Sequence, residues 1–229
     1  MKVAILQPGY LPWLGFFDQL ARVDTFVLYD DVQFTRRDWR SRNRIKTPGV
    51  GEGWQWLSVP VKNRGNYHSL IHEIEVDYEQ NWVRKHLGAI KAHYGKAPFF
   101  KTYFGELEAL LEARPARLVD LDVSITRRCA EWLGIATPMV FSSTLTATGE
   151  STARLVAICR ELGATSYLSG NAAQDYLDES LFAAVGISVE WQNYVHPTYQ
   201  QQGGDFLPFM CILDLLLNCG PESLGMLRK

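Results

Sequence analysis

The stretch Val3-Ala4-Ile5-Leu6-Gln7-Pro8-Gly9-Tyr10-Leu11-Pro12-Trp13-Leu14-Gly15-Phe16-Phe17 decides the fold. Residues 3–6 are an unbroken apolar run, the pattern of a parallel strand buried on both faces, and Gln7-Pro8-Gly9 ends it at once. Beyond Gly15, the residues Phe16, Phe17, Leu20, Ala21 and Val23 fall at helical spacing, and residues 25–29 return to a strand-like run. A strand, a shaped loop, a helix and a second strand make one crossover unit, right-handed in nearly all parallel sheets. Ligands of such sheets sit beyond the carboxyl ends of the strands, so loops 7–15 and 30–34 are expected to be neighbours.

Working outward, residues 54–61 read as a strand ending near Pro60, with residues 70–76 as its expected partner across a polar connection. Helical patterns follow at 82–94, 104–111 and 118–133, the last stopped by Gly134. The second half alternates strand 139–141, helix 152–162, strand 166–169, helix 177–185 and strand 189–191, and residues 206–217 read as a terminal helix. The fold class is therefore α/β, a parallel or mixed central sheet flanked by helices. One domain over 1–229 is expected, with an inserted β and helical subregion at 54–133.

The 229 residues are 47% apolar, ample for a buried core, and the formal charge of −2 opposes a surface that coats nucleic acid or anionic membrane. Cys129, Cys159, Cys211 and Cys219 show no paired spacing and read as reduced core thiols. The opening apolar run is too short for a signal peptide, and residues 206–217 are interrupted by Pro208 and Asp214. A cytoplasmic protein without a membrane span is the expectation.

Three constellations carry possible chemistry. Loop 7–15 spends two prolines and two glycines on backbone shape while displaying Gln7, Tyr10 and Trp13, as ligand contacts or as aromatics that cover the core. Asp30 and Asp31, followed by Gln33, end the second strand. Adjacent acids there bind a divalent cation, hold a substrate amine or hydroxyl, serve as general base, or simply cap a turn. Residues 35–46 hold six basic side chains and one acid, about +5 against −7 elsewhere. Arg42 and Arg44 are candidates for phosphate recognition by guanidinium forks, with Asn43 and Lys46 as further ligand contacts and Arg36 expected to lie further out. Ser169, Gly170 and Tyr176 follow a later strand, and Tyr199 and Gln201 lie in the last polar loop. His68 and His72 are spaced HxxxH beside a strand start, where they do not share a helical face, so no metal site is expected. No Walker A, GxGxxG or GxSxG motif occurs.

The segments QPGYLPWLGFF, DDVQF, RSRNRIKT, YLSGNAAQDYLD, YQQ and FLPFMCILDLLLNCG together closely resemble the WbqC-like protein family, almost end to end. The resemblance implies a bacterial cytoplasmic protein associated with O-antigen and other surface-polysaccharide biosynthesis. It carries over at Gln7, Pro8, Tyr10, Pro12, Trp13, Gly15, Asp30, Asp31, Gln33, Arg42, Asn43, Arg44, Lys46, Ser169, Gly170, Tyr176, Tyr199, Gln201 and Asp214. Cys211 stands where a small hydroxyl residue is expected. A weaker likeness is to pantothenate synthetase-like nucleotidyltransferase folds, but Gly15 is followed by Phe16 rather than by the histidine those enzymes use.

The expectation is a transferase that modifies a nucleotide-activated amino sugar, by N-acylation or aminoacylation. Arg42, Arg44 and Lys46 would hold the diphosphate, Tyr10 or Trp13 would stack, and Asp30 or Asp31 would act on the acceptor. A noncatalytic protein binding a nucleotide sugar or a glycosyltransferase partner is the alternative, and nucleic-acid binding ranks last. The cofactor is not specified by the sequence.

Overall fold

The computed structural model describes residues 1–62 and 68–228. The chain opens with β1 (Lys2–Leu6), α1 (Leu14–Ala21) and β2 (Thr25–Leu28), then β3 (Arg42–Lys46), β4 (Trp54–Ser58), β5 (Val61–Lys62) and β6 (Glu75–Val76). Three longer helices follow, α2 (Trp82–Tyr94), α3 (Phe100–Glu112) and α4 (Leu118–Leu133). The rest comprises β7 (Met139–Phe141), α5 (Ser151–Glu161), β8 (Ser166–Ser169), α6 (Glu179–Ala183), β9 (Ser188–Trp191), α7 (Ile212–Cys219) and α8 (Ser223–Leu227).

The central sheet is parallel throughout, in the order β7-β2-β1-β8-β9. Its direction of winding reverses between β1 and β8, the topological switch point of a doubly wound fold. Alternating side chains divide the core in two. Ala4, Phe26, Leu28 and Leu168 join the larger cluster with residues of α1, α2, α3, α4 and α7. Val3, Ile5, Val27 and Tyr167 join the smaller one with Val156, Cys159 and Phe182 of α5 and α6. Both sheet faces are covered, which is why β1 reads as a continuous apolar run.

The insertion differs from expectation. β4 pairs with β3, inside the arginine-rich segment, and not with residues 70–76. Asn43 and Ile45 face the core, while Arg42, Arg44 and Lys46 alternate with them. With one apolar residue in five, β3 lacks the hydrophobic signature of a strand. Only the Val61 to Val76 end of the expected pairing is present, as β5 with β6, and part of the connection lies outside the described residues. The terminal helix also starts late: Pro208 and the left-handed Phe209 (φ 62°) leave residues 206–211 as a loop.

Candidate functional site

β2, β1 and β8 are parallel neighbours, so Gln7, Asp30 and Ser169 leave the sheet at the same edge. The basic loop lies on the first loop: the Tyr10 amide donates to the Trp39 carbonyl at 3.1 Å. A Cβ at Gly9 would stand 2.8 Å from that same oxygen, so only glycine permits the approach. Arg40 donates to Gln7 Oε1 and pairs with Asp38 at 2.7 Å. Gln7 is thus engaged by its own chain.

Of the aromatics of the first loop, Tyr10 is core and Trp13 is half-buried against it. Tyr10 is fully buried and its hydroxyl meets His86 Nδ1 at 2.9 Å, so the expected stacking on a ligand is corrected for this residue. Burial raises the Tyr10 hydroxyl well above its ordinary range. Burial also holds His86 down to about 4, so the ring is neutral and Tyr10 donates to it. Trp13 packs over Gly15, where a Cβ would fall 2.1 Å from its ring, and meets Tyr194 edge-on at 5.4 Å. It covers the start of α1.

The cations divide into two groups. Lys46 donates to the Asp205 carbonyl at 2.7 Å and Arg44 to the Phe209 carbonyl at 3.3 Å. Both therefore hold the loop 205–209 against β3. Arg42 makes no hydrogen bond with any described residue, and its guanidinium lies 4.1 Å above the Trp56 ring. It lines a cleft of about 330 Å³ with Phe34, Arg36, Arg37, Ser41, Ser58, Val59 and Val61. Among the described residues, three guanidinium groups and no carboxylate line this cleft. Arg36 is consequently inside the cluster and not further out, and Arg44 is outside it. Trp39, 43% exposed, stands beside Trp56 at 5.3 Å between centroids.

The acidic pair is built into the frame. Asp30 is only 2% exposed. Its Oδ1 accepts from Ser142 Oγ and the Ser143 amide, both at 3.0 Å, and its Oδ2 accepts from Ser143 Oγ at 2.7 Å. Asp31 Oδ1 lies 2.6 Å from the same Ser142 Oγ, whose one hydrogen the two carboxylates share, and Asp31 pairs with Arg154. Together they tie the end of β2 to the turn after β7. Gln33 is exposed and bridges to Leu70.

Asn43, Tyr199 and Gln201 are likewise structural. Asn43 donates to the Leu11 carbonyl at 2.7 Å. Asp214, wholly buried on α7, accepts from Tyr94 Oη at 2.8 Å and from Tyr199 Oη and Gln201 Nε2 at 2.7 Å each. Gln201 also clamps Leu207 through both its amide and its carbonyl. Burial raises the Asp214 carboxyl, and these three donors oppose the rise. Ser169 is buried, Gly170 lies against the Gln19 amide, and Tyr176 is 70% exposed on the surface. The structure joins Arg42 to Arg36, Arg37 and Trp39. It brings neither Tyr176 nor Tyr199 into the lining of that cleft. Sequence reasoning missed Trp56, whose signal is its place opposite Arg44 in a β ladder that was not recognised. Among the described residues, no group of three His, Cys, Asp or Glu side chains is placed to hold a metal ion.

Residues 7–226 match the WbqC-like protein family model. The chain is 39% identical to the uncharacterized protein Rv1507c of Mycobacterium tuberculosis over 229 residues, spanning 99% of this chain and 97% of that protein. No solved structure matches. Among the described residues no helix is long and apolar enough to cross a membrane.

Proposed function

The chain belongs to the WbqC-like protein family, and we propose that it binds the diphosphate of a nucleotide-activated amino sugar in surface-polysaccharide biosynthesis and modifies that sugar as a transferase. One observation carries this reading: Arg36, Arg37 and Arg42 converge on one cleft. A guanidinium fork matches phosphate oxygens two at a time, and clustered cations concentrate anions. Trp39 beside Trp56 supplies an aromatic platform for a base or sugar. Arg44 and Lys46 serve the site indirectly, by fixing the loop 205–209 against the hairpin.

A noncatalytic binding protein is the second reading, favoured by the engagement of Asp30 and Asp31 in hydrogen bonds that leave neither carboxylate idle. Nucleic acid is disfavoured by the net charge of −2.

Calorimetric titration of UDP-, dTDP- and GDP-linked amino sugars tests the site. Arg42→Lys keeps the charge but loses the fork, and is expected to weaken binding by about 1–3 kcal/mol. Arg37→Gln is expected to weaken it further, while Arg44→Lys matters little once stability is matched. Equal affinity in all these variants would remove the proposal. Turnover of the bound sugar with an acyl donor separates the transferase from the binding module.

A further inference from the structure

We infer that the outer face of the β3–β4 hairpin is a second binding site, for a uronic acid residue of an acidic glycan, with Arg44 receiving the carboxylate and Trp39 and Phe209 flanking the sugar. The inference does not rest on a nucleotide in the arginine cleft. In the hairpin register Arg44 stands opposite Trp56, and Lys46 opposite Trp54. The Arg44 guanidinium lies 5.0 Å from the Trp54 ring and 5.7 Å from each of the Trp39 and Trp56 rings. Three indoles therefore surround one cation.

That cation lacks an anion. Its one hydrogen bond to a described residue is the 3.3 Å contact with the Phe209 carbonyl, and its Nε is buried without a partner. Arg40 and Arg154, by contrast, have Asp38 and Asp31. Burial lowers Arg44 from the ordinary arginine value, as expected of a guanidinium that has lost water without gaining a counter-charge.

The flanking rings are held out by their backbones. Among the described residues three aromatic side chains are exposed, Trp39, Tyr176 and Phe209. Two of them adjoin Arg44, Trp39 by its ring and Phe209 by its carbonyl. The Trp39 amide donates to Asp38 Oδ1 at 2.6 Å, and its carbonyl accepts from the Tyr10 amide at 3.1 Å. The Phe209 amide donates to His196 Nε2 at 3.2 Å. Its φ of 62° is a left-handed conformation that a bulky side chain rarely adopts, yet it leaves the ring 53% exposed. Backbone strain that keeps an apolar ring in water points to a use for the ring outside the core.

The ligand class follows from combining ring and charge. The negative face of an aromatic ring attracts the polarised C–H groups on one side of a pyranose, while the sugar hydroxyls stay in water. A neutral sugar would cover the rings and leave Arg44 unpaired; a simple carboxylate would pair with Arg44 and leave the rings wet. A uronic acid carries both features, and its carboxylate matches the guanidinium fork. An open face accommodates such a residue within a chain.

The test uses the intact protein and three probes: trigalacturonate, its methyl ester, which has the same rings without charge, and triglutamate, which has charge without a sugar. Calorimetry and saturation-transfer NMR follow each. Trigalacturonate is expected to bind, with the other two at least tenfold weaker and saturation concentrated on the pyranose C–H protons. Trp39→Ala and Arg44→Lys are each expected to weaken trigalacturonate at least fivefold, and Arg42→Lys to leave it within twofold. Phe209→Gly separates binding from folding, because glycine takes the left-handed conformation freely. It is expected to keep the wild-type unfolding midpoint and to lose affinity at least fivefold. Absence of trigalacturonate binding, equal affinity for triglutamate, or a loss in Arg42→Lys with none in Arg44→Lys and Trp39→Ala overturns the inference. The last of these outcomes would put the acid in the arginine cleft, which the nucleotide-sugar titrations judge independently.

Discussion

Two buried groups give the molecule opposite responses to pH. His86 is held down to about 4 by burial, so its neutral form is favoured in the folded state. The stability this confers is present above the ordinary histidine value and is lost as pH falls through about 4, on the order of 3 kcal/mol in total. Replacement by Asn is expected to remove that part of the acid destabilisation, read by urea unfolding between pH 6.5 and 4. Asp122 behaves inversely. Wholly buried on α4, with no hydrogen bond to either oxygen among the described residues, its carboxyl is raised well above the usual range by burial. Its contribution is complete below the unfolded value and lost as pH rises towards the folded one, at up to about 1.4 kcal/mol per unit. Asp122→Asn is therefore expected to flatten the stability profile and to exceed the wild type at neutral pH but not near pH 4. Among the other acids, Asp30 is buried with its partners: its carboxylate is held by Ser142 and Ser143 and joins two strand ends. Asp30→Ala is expected to cost about 2–4 kcal/mol by denaturant unfolding.

At the level of elements, the hairpin β3–β4 and the loop 205–209 form a joint unit. The two residues expected to hold phosphate beside Arg42 instead hold backbone carbonyls of that loop. Removing Arg44 or Lys46 is expected to raise amide exchange at residues 205–209, with Lys46→Met destabilising by about 1–3 kcal/mol. Arg42→Gln, whose side chain makes no hydrogen bond with a described residue, is expected to leave exchange at 205–209 unchanged and to cost only the Trp56 contact, about 0.5–1 kcal/mol, while abolishing phosphate binding. What sequence could and could not disclose is clearest here. β1 and β2 were legible because burial on both faces writes a continuous apolar run. β3 was not, since its alternating cations carry the composition of a solvated segment, although Lys46 is buried, and only Asn43 and Ile45 betray the inward face. A charge run locates an anion site to within a few residues. It does not say which cations are already satisfied by carbonyls 160 residues away, because that depends on where the chain returns.

For the molecule as a whole, the sheet separates two apolar layers, and one cysteine on each side reports on them. Cys129 of α4 lies in the larger cluster and Cys159 of α5 in the smaller. Both thiols are raised by burial, Cys159 to about 12, which makes them unreactive in the native state. A single cooperative domain is expected to expose both at one denaturant concentration in pulsed alkylation. Separate midpoints would mean that the layers unfold independently. The position of the basic cleft follows from the same layering. Strands β2, β1 and β8 end together, and the hairpin rests on the loop that leaves β1 through Gly9.

The hairpin also makes the protein its own optical probe. Three of the seven tryptophans are gathered there, with Trp54 and Trp56 at 5.6 Å and nearly perpendicular, and Trp39 against Trp56. Indoles so close couple their transition dipoles, and a cation 4.1 Å above one ring perturbs its excited state. An anion that draws Arg42 away from Trp56 would alter both the emission and the ultraviolet circular dichroism without any attached dye. Occupancy of the cleft would then be readable in an unlabelled sample, at concentrations far below those a calorimeter needs.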